Sequence, residues 1–154
     1  MRILFVCLGN ICRSPTAEGV LRTKLAKAGL AQRFEVASAG TGDWHVGKAP
    51  DARTQAAARK RGYGLSAQRA QQVDPEDFFS RDLILAMDRA NLAHLERMRP
   101  EGSPAQLALF LDYTGAAVAE VPDPYYGGEA GFDEVLDLVE AGCDALIAEY
   151  GGRR

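Results

Sequence analysis

The chain has 154 residues, 47% of them hydrophobic and 25% charged, with a formal net charge of -3. That length suits one sizeable core rather than two, and the balance is that of an ordinary globular protein, which excludes disordered and fibrous classes. A mildly acidic chain without a basic stripe is not a general nucleic-acid binder, and no apolar run is long enough to span a membrane.

Arg2 to Cys7 is a short, continuous apolar run closed by a glycine-containing turn, the pattern of a strand buried on both faces. It runs into Cys7-Leu8-Gly9-Asn10-Ile11-Cys12-Arg13-Ser14, with Pro15 next. Successive N–H groups in such a turn can converge on one anion, and a helix opening at Ser14 adds its positive dipole end. Arg13 offers a planar fork matched to two phosphate oxygens, which lysine cannot supply. A thiol at a helix N-terminus beside a cation ionises readily, so Cys7 is a candidate nucleophile. A lone cysteine ending a strand is ordinarily just a buried residue; here the fixed spacing to Arg-Ser and the strand-turn-helix setting favour chemistry. No Gly-Lys-Ser/Thr follows, which excludes a Walker A loop. The segment points to a cysteine-based phosphatase.

Beyond it, Ala17, Val20, Leu21, Leu25 and Ala28 recur at helical spacing up to Gly29, with Ser14 as the expected cap and Pro15 in the first turn. Phe34 to Ala37 is a second strand, ended by the small-residue loop Ser38 to Gly42. A surface loop from Asp43 to Pro50 carries Trp44, the single tryptophan. Asp51 to Arg61 is a helix closed by Gly62, and Asp74-Pro75-Glu76 starts a short one. Asp82 to Met87 is a third buried strand, Asp88 caps a helix over Arg89 to Met98, and Pro100 stops it. Gln106 to Leu111 is a fourth strand, and Asp112 to Pro122 a connecting loop. From about Phe132 to Tyr150 an apolar stripe marks a long packing helix, and residues 151–154 form a frayed tail.

Strands alternating with helices predict one doubly wound α/β domain over residues 1–154, with a parallel sheet and right-handed crossovers. Ligands in such sheets bind at the carboxyl ends of the strands, where Cys7 lies. Three cysteines, an odd number with no secretory segment ahead of them, do not form a disulfide framework and indicate a reducing, cytoplasmic setting. The two histidines, His45 and His94, have no metal-site spacing. Thiolate attack on a phosphoryl group requires a proton donor for the leaving oxygen. Asp123, stiffened by Pro122 and Pro124 and followed by Tyr125 and Tyr126, is the best placed of 21 acidic residues. From the loop alone, a plain Asp-Pro turn before Gly127-Gly128 is the better explanation of Asp123, and Asp43, Asp82 and Asp88 are weaker rivals for the acid.

Taken together, Cys7 to Pro15, Ser38-Ala39-Gly40-Thr41 ahead of Asp43-Trp44, Met87-Asp88 and Asp123-Pro124-Tyr125 resemble the low-molecular-weight protein tyrosine phosphatases, in order and over almost the whole chain. The resemblance implies a four-stranded parallel sheet and a two-step hydrolysis of phosphotyrosine in proteins, without metal or cofactor. It implies Cys7 as nucleophile, Arg13 as phosphate clamp and Asp123 as general acid and then base. Leu8, Gly9, Asn10, Ile11 and Cys12 would form the phosphate loop, Asn10 holding its backbone and Ser14 hydrogen-bonding the Cys7 sulfur. Trp44 and Tyr125 would wall the substrate pocket, with Tyr126 beside it, and inorganic phosphate would be product and inhibitor. Cys12 would pair with Cys7 under oxidation. Family members often carry a histidine in the segment corresponding to Gly64–Val73, which this chain lacks. Arsenate reductases share the fold but relay electrons through further cysteines, and none lies between Cys12 and Cys143. Protein-arginine phosphatases tend to have threonine where Ile11 stands, so Ile11 favours an aryl phosphate. A non-catalytic phosphate-binding module would be expected to lack Cys7 or Asp123.

Overall fold

The computed structural model describes residues 1–125 and 127–152. Strand β1 (Arg2–Cys7) is central and entirely apolar from Ile3 to Val6, because it is covered on both faces. With β2 (Glu35–Gly40), β3 (Leu83–Ala86) and β4 (Gln106–Leu109) it forms a parallel sheet of order β2-β1-β3-β4. The twofold alternation of strand side chains divides the core. Ile3, Phe5, Leu83 and Leu85 face helices α1 (Arg13–Lys27) and α6 (Glu129–Tyr150). Leu4, Val6 and Ile84 face the other side, with Phe78 of α3 (Asp77–Ser80) and Leu95 of α4 (Arg89–Met98). Full burial of a side chain such as Phe5 contributes roughly 1.5–3 kcal/mol, and its ring also meets Phe110 edge-on, with centroids 5.2 Å apart.

The local signals act largely as expected. The Asp51 carboxylate accepts the Arg53 N–H at the start of α2 (Ala52–Lys60), and that of Asp88 accepts the Asn91 N–H at the start of α4. Gly29, at φ +73°, takes the left-handed turn just past α1. Ser14 does not cap α1: the helix starts at Arg13 with no side-chain cap, and the serine hydroxyl is engaged elsewhere. Two boundaries differ for tertiary reasons. Strand β2 continues through Ser38-Ala39-Gly40 in register with Phe5-Val6-Cys7. Glycine ends it because a Cβ at Gly40 would lie 2.8 Å from the Leu8 carbonyl oxygen. Strand β4 stops at Leu109, where Phe110–Tyr113 turn into the short helix α5 and send Phe110 into the core.

Register aligns the strand ends, with Cys7 beside Gly40 and Ala86 beside both Val6 and Leu109. The segments that leave β1, β2 and β3 at this edge meet around Cys7 and Arg13. Among the described residues, no helix is long and apolar enough to cross a membrane. At the far end, the Gly151 N–H donates to the Ile147 carbonyl, 2.7 Å away, and the Gly151 carbonyl accepts from Arg33 at 2.9 Å. Arg153 and Arg154 lie outside the described residues.

Candidate active site

The loop from Leu8 to Cys12 bends tightly at Asn10, the one non-glycine residue with positive φ (+57°) among those described. An asparagine tolerates this region better than most side chains. The loop's carbonyls are taken from outside: Cys7 O accepts the Thr41 N–H at 2.9 Å, Leu8 O that of Gly42 at 2.9 Å, and Ile11 O that of Asp51 at 2.8 Å. No acceptor among the described residues takes the N–H groups of residues 8–12. A turn that gives the carbonyls of Cys7, Leu8 and Ile11 to other segments while its own N–H groups stay unused is a ready anion cradle, and α1 directs its positive end to the same place.

Asn10 braces the turn. Its Oδ1 accepts the Gln71 N–H at 3.0 Å, while Nδ2 donates to Ser14 Oγ at 2.7 Å and Ser38 Oγ at 2.9 Å. Cys7 Sγ is 3.0 Å from Ser14 Oγ, and Cys7 is 2% exposed. Arg13, also 2% exposed, donates through Nη1 to Asp88 Oδ2 at 2.7 Å and to the Val121 carbonyl at 3.0 Å. Its Nη2 is 3.6 Å from Asp123 Oδ2. Burial works against the Arg13 charge, but Cys7, Asp88 and Asp123 outweigh it, so the guanidinium pKa is raised and the cation is secure. Asp123 borders the same cavity, and its Oδ1 accepts the Tyr125 N–H at 3.1 Å. The turn expected of Asp-Pro thus also brings the Asp123 carboxylate to Arg13.

Cys7, Arg13 and Asp123 line one cavity of about 340 Å³ together with Ile11, Trp44 and Tyr125, the thiol and guanidinium on its buried side and the indole on its exposed one. Trp44 is 59% exposed, a surface aromatic beside a buried thiol. A loop of N–H donors, a buried arginine, a thiol and a carboxylate around one space can hold a tetrahedral oxyanion, attack it and protonate what leaves. The family model for low molecular weight phosphotyrosine protein phosphatases matches residues 2–152. The chain belongs to that family.

Two solved phosphatase structures and one curated relative illustrate the likeness. The low molecular weight phosphotyrosine protein phosphatase of Schizosaccharomyces pombe is 47% identical over 91% of each chain. A protein tyrosine phosphatase of Entamoeba histolytica, crystallised with Hepes in its active site, superposes with a TM-score of 0.92 at 39% identity, covering 98% of this chain and 97% of that one. A Drosophila arginine phosphatase also superposes with a TM-score of 0.92, at 33% identity over the whole of both chains. Within this family fold, all the expected site residues that are described come together, while Tyr126 lies outside the described residues.

Two residues of this phosphatase's site escape sequence reasoning. Asp88, by sequence a rival acid and a helix cap, does cap α4 but uses its second oxygen to anchor Arg13. Its position at the end of β3 was the available signal. His45 carried no motif, yet it borders the cavity and lies against the phosphate loop: a Cβ on Gly9 would be 2.8 Å from its Cδ2.

All three cysteines are free and buried. Burial chiefly, then the charges of Asp51, Cys7 and Asp123, pushes the Cys12 thiol up to about 12, against the opposing effect of the Thr54 hydroxyl. Burial also raises Cys143, which sits in the apolar stripe of α6. Both remain un-ionised at neutral pH. Iodoacetamide at pH 7.5 is therefore expected to label Cys12 and Cys143 more than about a hundredfold more slowly than an exposed cysteine. Peptide mass spectrometry of the native protein checks this, and rapid labelling of Cys12 would contradict its burial.

Proposed function

We propose that this phosphatase hydrolyses phosphotyrosine in proteins through a cysteinyl-phosphate. The Cys7 thiolate attacks phosphorus, an S–P bond forms as the P–O bond to tyrosine breaks, and Asp123 gives its proton to the leaving phenoxide. Water then attacks phosphorus, Asp123 takes its proton, and the S–P bond breaks to release inorganic phosphate and the thiolate. The N–H groups of residues 8–12 and the free donors of Arg13 stabilise the equatorial oxygens in both transition states. Ser14 donates to the sulfur whenever it carries charge. No step calls for a metal or cofactor. Phosphate, fitting the same cradle, is a product inhibitor.

The observation that carries this reading is a loop of N–H groups unused among the described residues next to a buried thiol, with Arg13 and Asp123 lining the same cavity. Ile11, Trp44 and Tyr125 make the walls apolar and aromatic, which suits a phenyl ring better than a guanidinium. Cys12 lies in the same loop as Cys7 and is a free thiol. After peroxide converts Cys7 to a sulfenic acid, Cys12 condenses with it to a disulfide and water leaves, which makes the enzyme reversibly redox-sensitive. Three free cysteines suit the reducing cytoplasm, where we assign the protein.

A panel of phosphotyrosine, phosphoarginine and phosphoserine peptides, with arsenate reduction alongside, tests the assignment. Phosphotyrosine should be favoured at least about tenfold over either other peptide, since each competing group leaves the aromatic walls unfilled, and arsenate should not be reduced. Faster turnover of phosphoarginine would overturn the assignment.

A further inference from the structure

Helix α1 carries a second functional-looking residue one turn beyond Ser14. Glu18 is 7% exposed, a carboxylate in a position where burial disfavours charge. Burial raises its pKa, opposed by the Ser38 hydrogen bond and by the guanidinium groups of Arg22 and Arg81. Residues 14 and 18 share a face of the helix, the face turned to β2, where Ser38 stands beside Phe5 in the sheet. The Ser38 hydroxyl donates to Glu18 Oε1 at 2.7 Å, and Arg22 Nη2 lies 3.3 Å from Oε2. The mechanism above makes no use of Glu18.

We propose that Glu18 is a positioning residue for Cys7, acting through Ser38, Asn10 and Ser14 to direct the Ser14 hydroxyl hydrogen at the sulfur; this rests on the phosphatase reading of the site. The argument is one of donor and acceptor polarity. An ionised carboxylate only accepts. Ser38 must therefore give its hydrogen to Glu18, which leaves only lone pairs for Asn10, 2.9 Å away. The Asn10 amide must present its NH2 group to Ser38, and the Gln71 N–H, donating to Oδ1, enforces the same orientation from the opposite side. The second N–H of that group then donates to Ser14 Oγ at 2.7 Å. Ser14, already an acceptor there, keeps its own hydrogen for the Cys7 sulfur at 3.0 Å or the more distant Ala39 carbonyl at 3.3 Å.

Without the carboxylate, the Ser38 hydrogen is free to point at Asn10, which favours a flipped amide. A flipped Asn10 presents its oxygen to Ser14 and draws the serine hydrogen away from the sulfur. Glu18 opposes that arrangement from the Ser38 side as the Gln71 N–H does from the other, and loss of the carboxylate leaves Gln71 as the single constraint; this supplies a reason for a buried carboxylate that an apolar residue could replace at less desolvation cost.

The test uses two readouts, kcat on a phosphotyrosine peptide and the rate at which iodoacetate alkylates Cys7, with thermal melting to control for folding. Glu18→Leu is expected to lower both rates about tenfold, near the upper range for loss of one hydrogen bond, with KM little changed. Glu18→Gln, which keeps an acceptor for Ser38, should restore both to within about twofold. In a Ser14→Ala background, Glu18→Leu should have no further effect, because the chain then ends before the sulfur. Unchanged rates in Glu18→Leu, a full loss in Glu18→Gln, or an undiminished Glu18→Leu effect without Ser14 would each overturn the proposal. If Glu18→Leu does not fold, Ser38→Ala breaks the same chain one link nearer and must give the same two losses. Should the wild-type protein not turn over phosphotyrosine while the alkylation pattern holds, the substrate assignment falls and the positioning role stands.

Discussion

Replacing Cys7 by serine is expected to lower phosphotyrosine turnover by at least about a thousandfold, the scale seen when a covalent nucleophile is removed. Phosphate binding should survive, because the loop N–H groups and Arg13 do not depend on the sulfur. The fold should survive too. Serine is a smaller, isosteric replacement, and the hydroxyl of Ser14, 3.0 Å from the sulfur, offers the new hydroxyl a hydrogen bond at a site that is otherwise 2% exposed. Steady-state turnover, phosphate titration and thermal melting of the purified variant read the three statements separately. Turnover within tenfold of the unsubstituted enzyme would refute covalent catalysis by Cys7.

Asp123→Asn isolates the proton. Asparagine keeps an oxygen for the Tyr125 N–H, which Asp123 Oδ1 accepts at 3.1 Å, so the turn between Pro122 and Pro124 should persist. What it loses is the acid. General acid–base catalysis contributes about a hundredfold to ten-thousandfold, so phosphotyrosine hydrolysis should fall by that order. Aryl phosphates whose leaving groups are already stable anions need little help and should slow by less than about tenfold. Comparing kcat on the two substrate types decides the matter. Equal losses on both would remove Asp123 from the acid role and leave its 3.6 Å approach to Arg13 as a structural contact.

Much of this molecule was legible in the order of its residues. The apolar run of β1, the helix periods of α1 and α6 and the aspartate caps at Asp51 and Asp88 are local signals, each with a local physical cause, and each element stands close to where its signal lies. The phosphate loop was legible for a related reason: its parts are contiguous, so spacing alone brings Cys7 near Arg13. The strand end at Gly40 and the turn at Phe110 were not, because they depend on what lies across the sheet, the Leu8 carbonyl in one case and the Phe5 ring in the other.

The same division runs through the site. Sequence by itself determined the doubly wound fold class and the cradle from Cys7 to Ser14, since backbone preference and side-chain spacing act over a few residues. It could not show that Asp123 approaches Arg13, that Asp88 anchors the same arginine, that His45 lies against Gly9, or that Glu18 accepts from Ser38. Those relations join residues from 20 to 110 positions apart. Only the alignment of four strand ends at one edge of the sheet brings them within hydrogen-bonding or van der Waals reach, and there burial removes the competing water that would otherwise make such contacts weak.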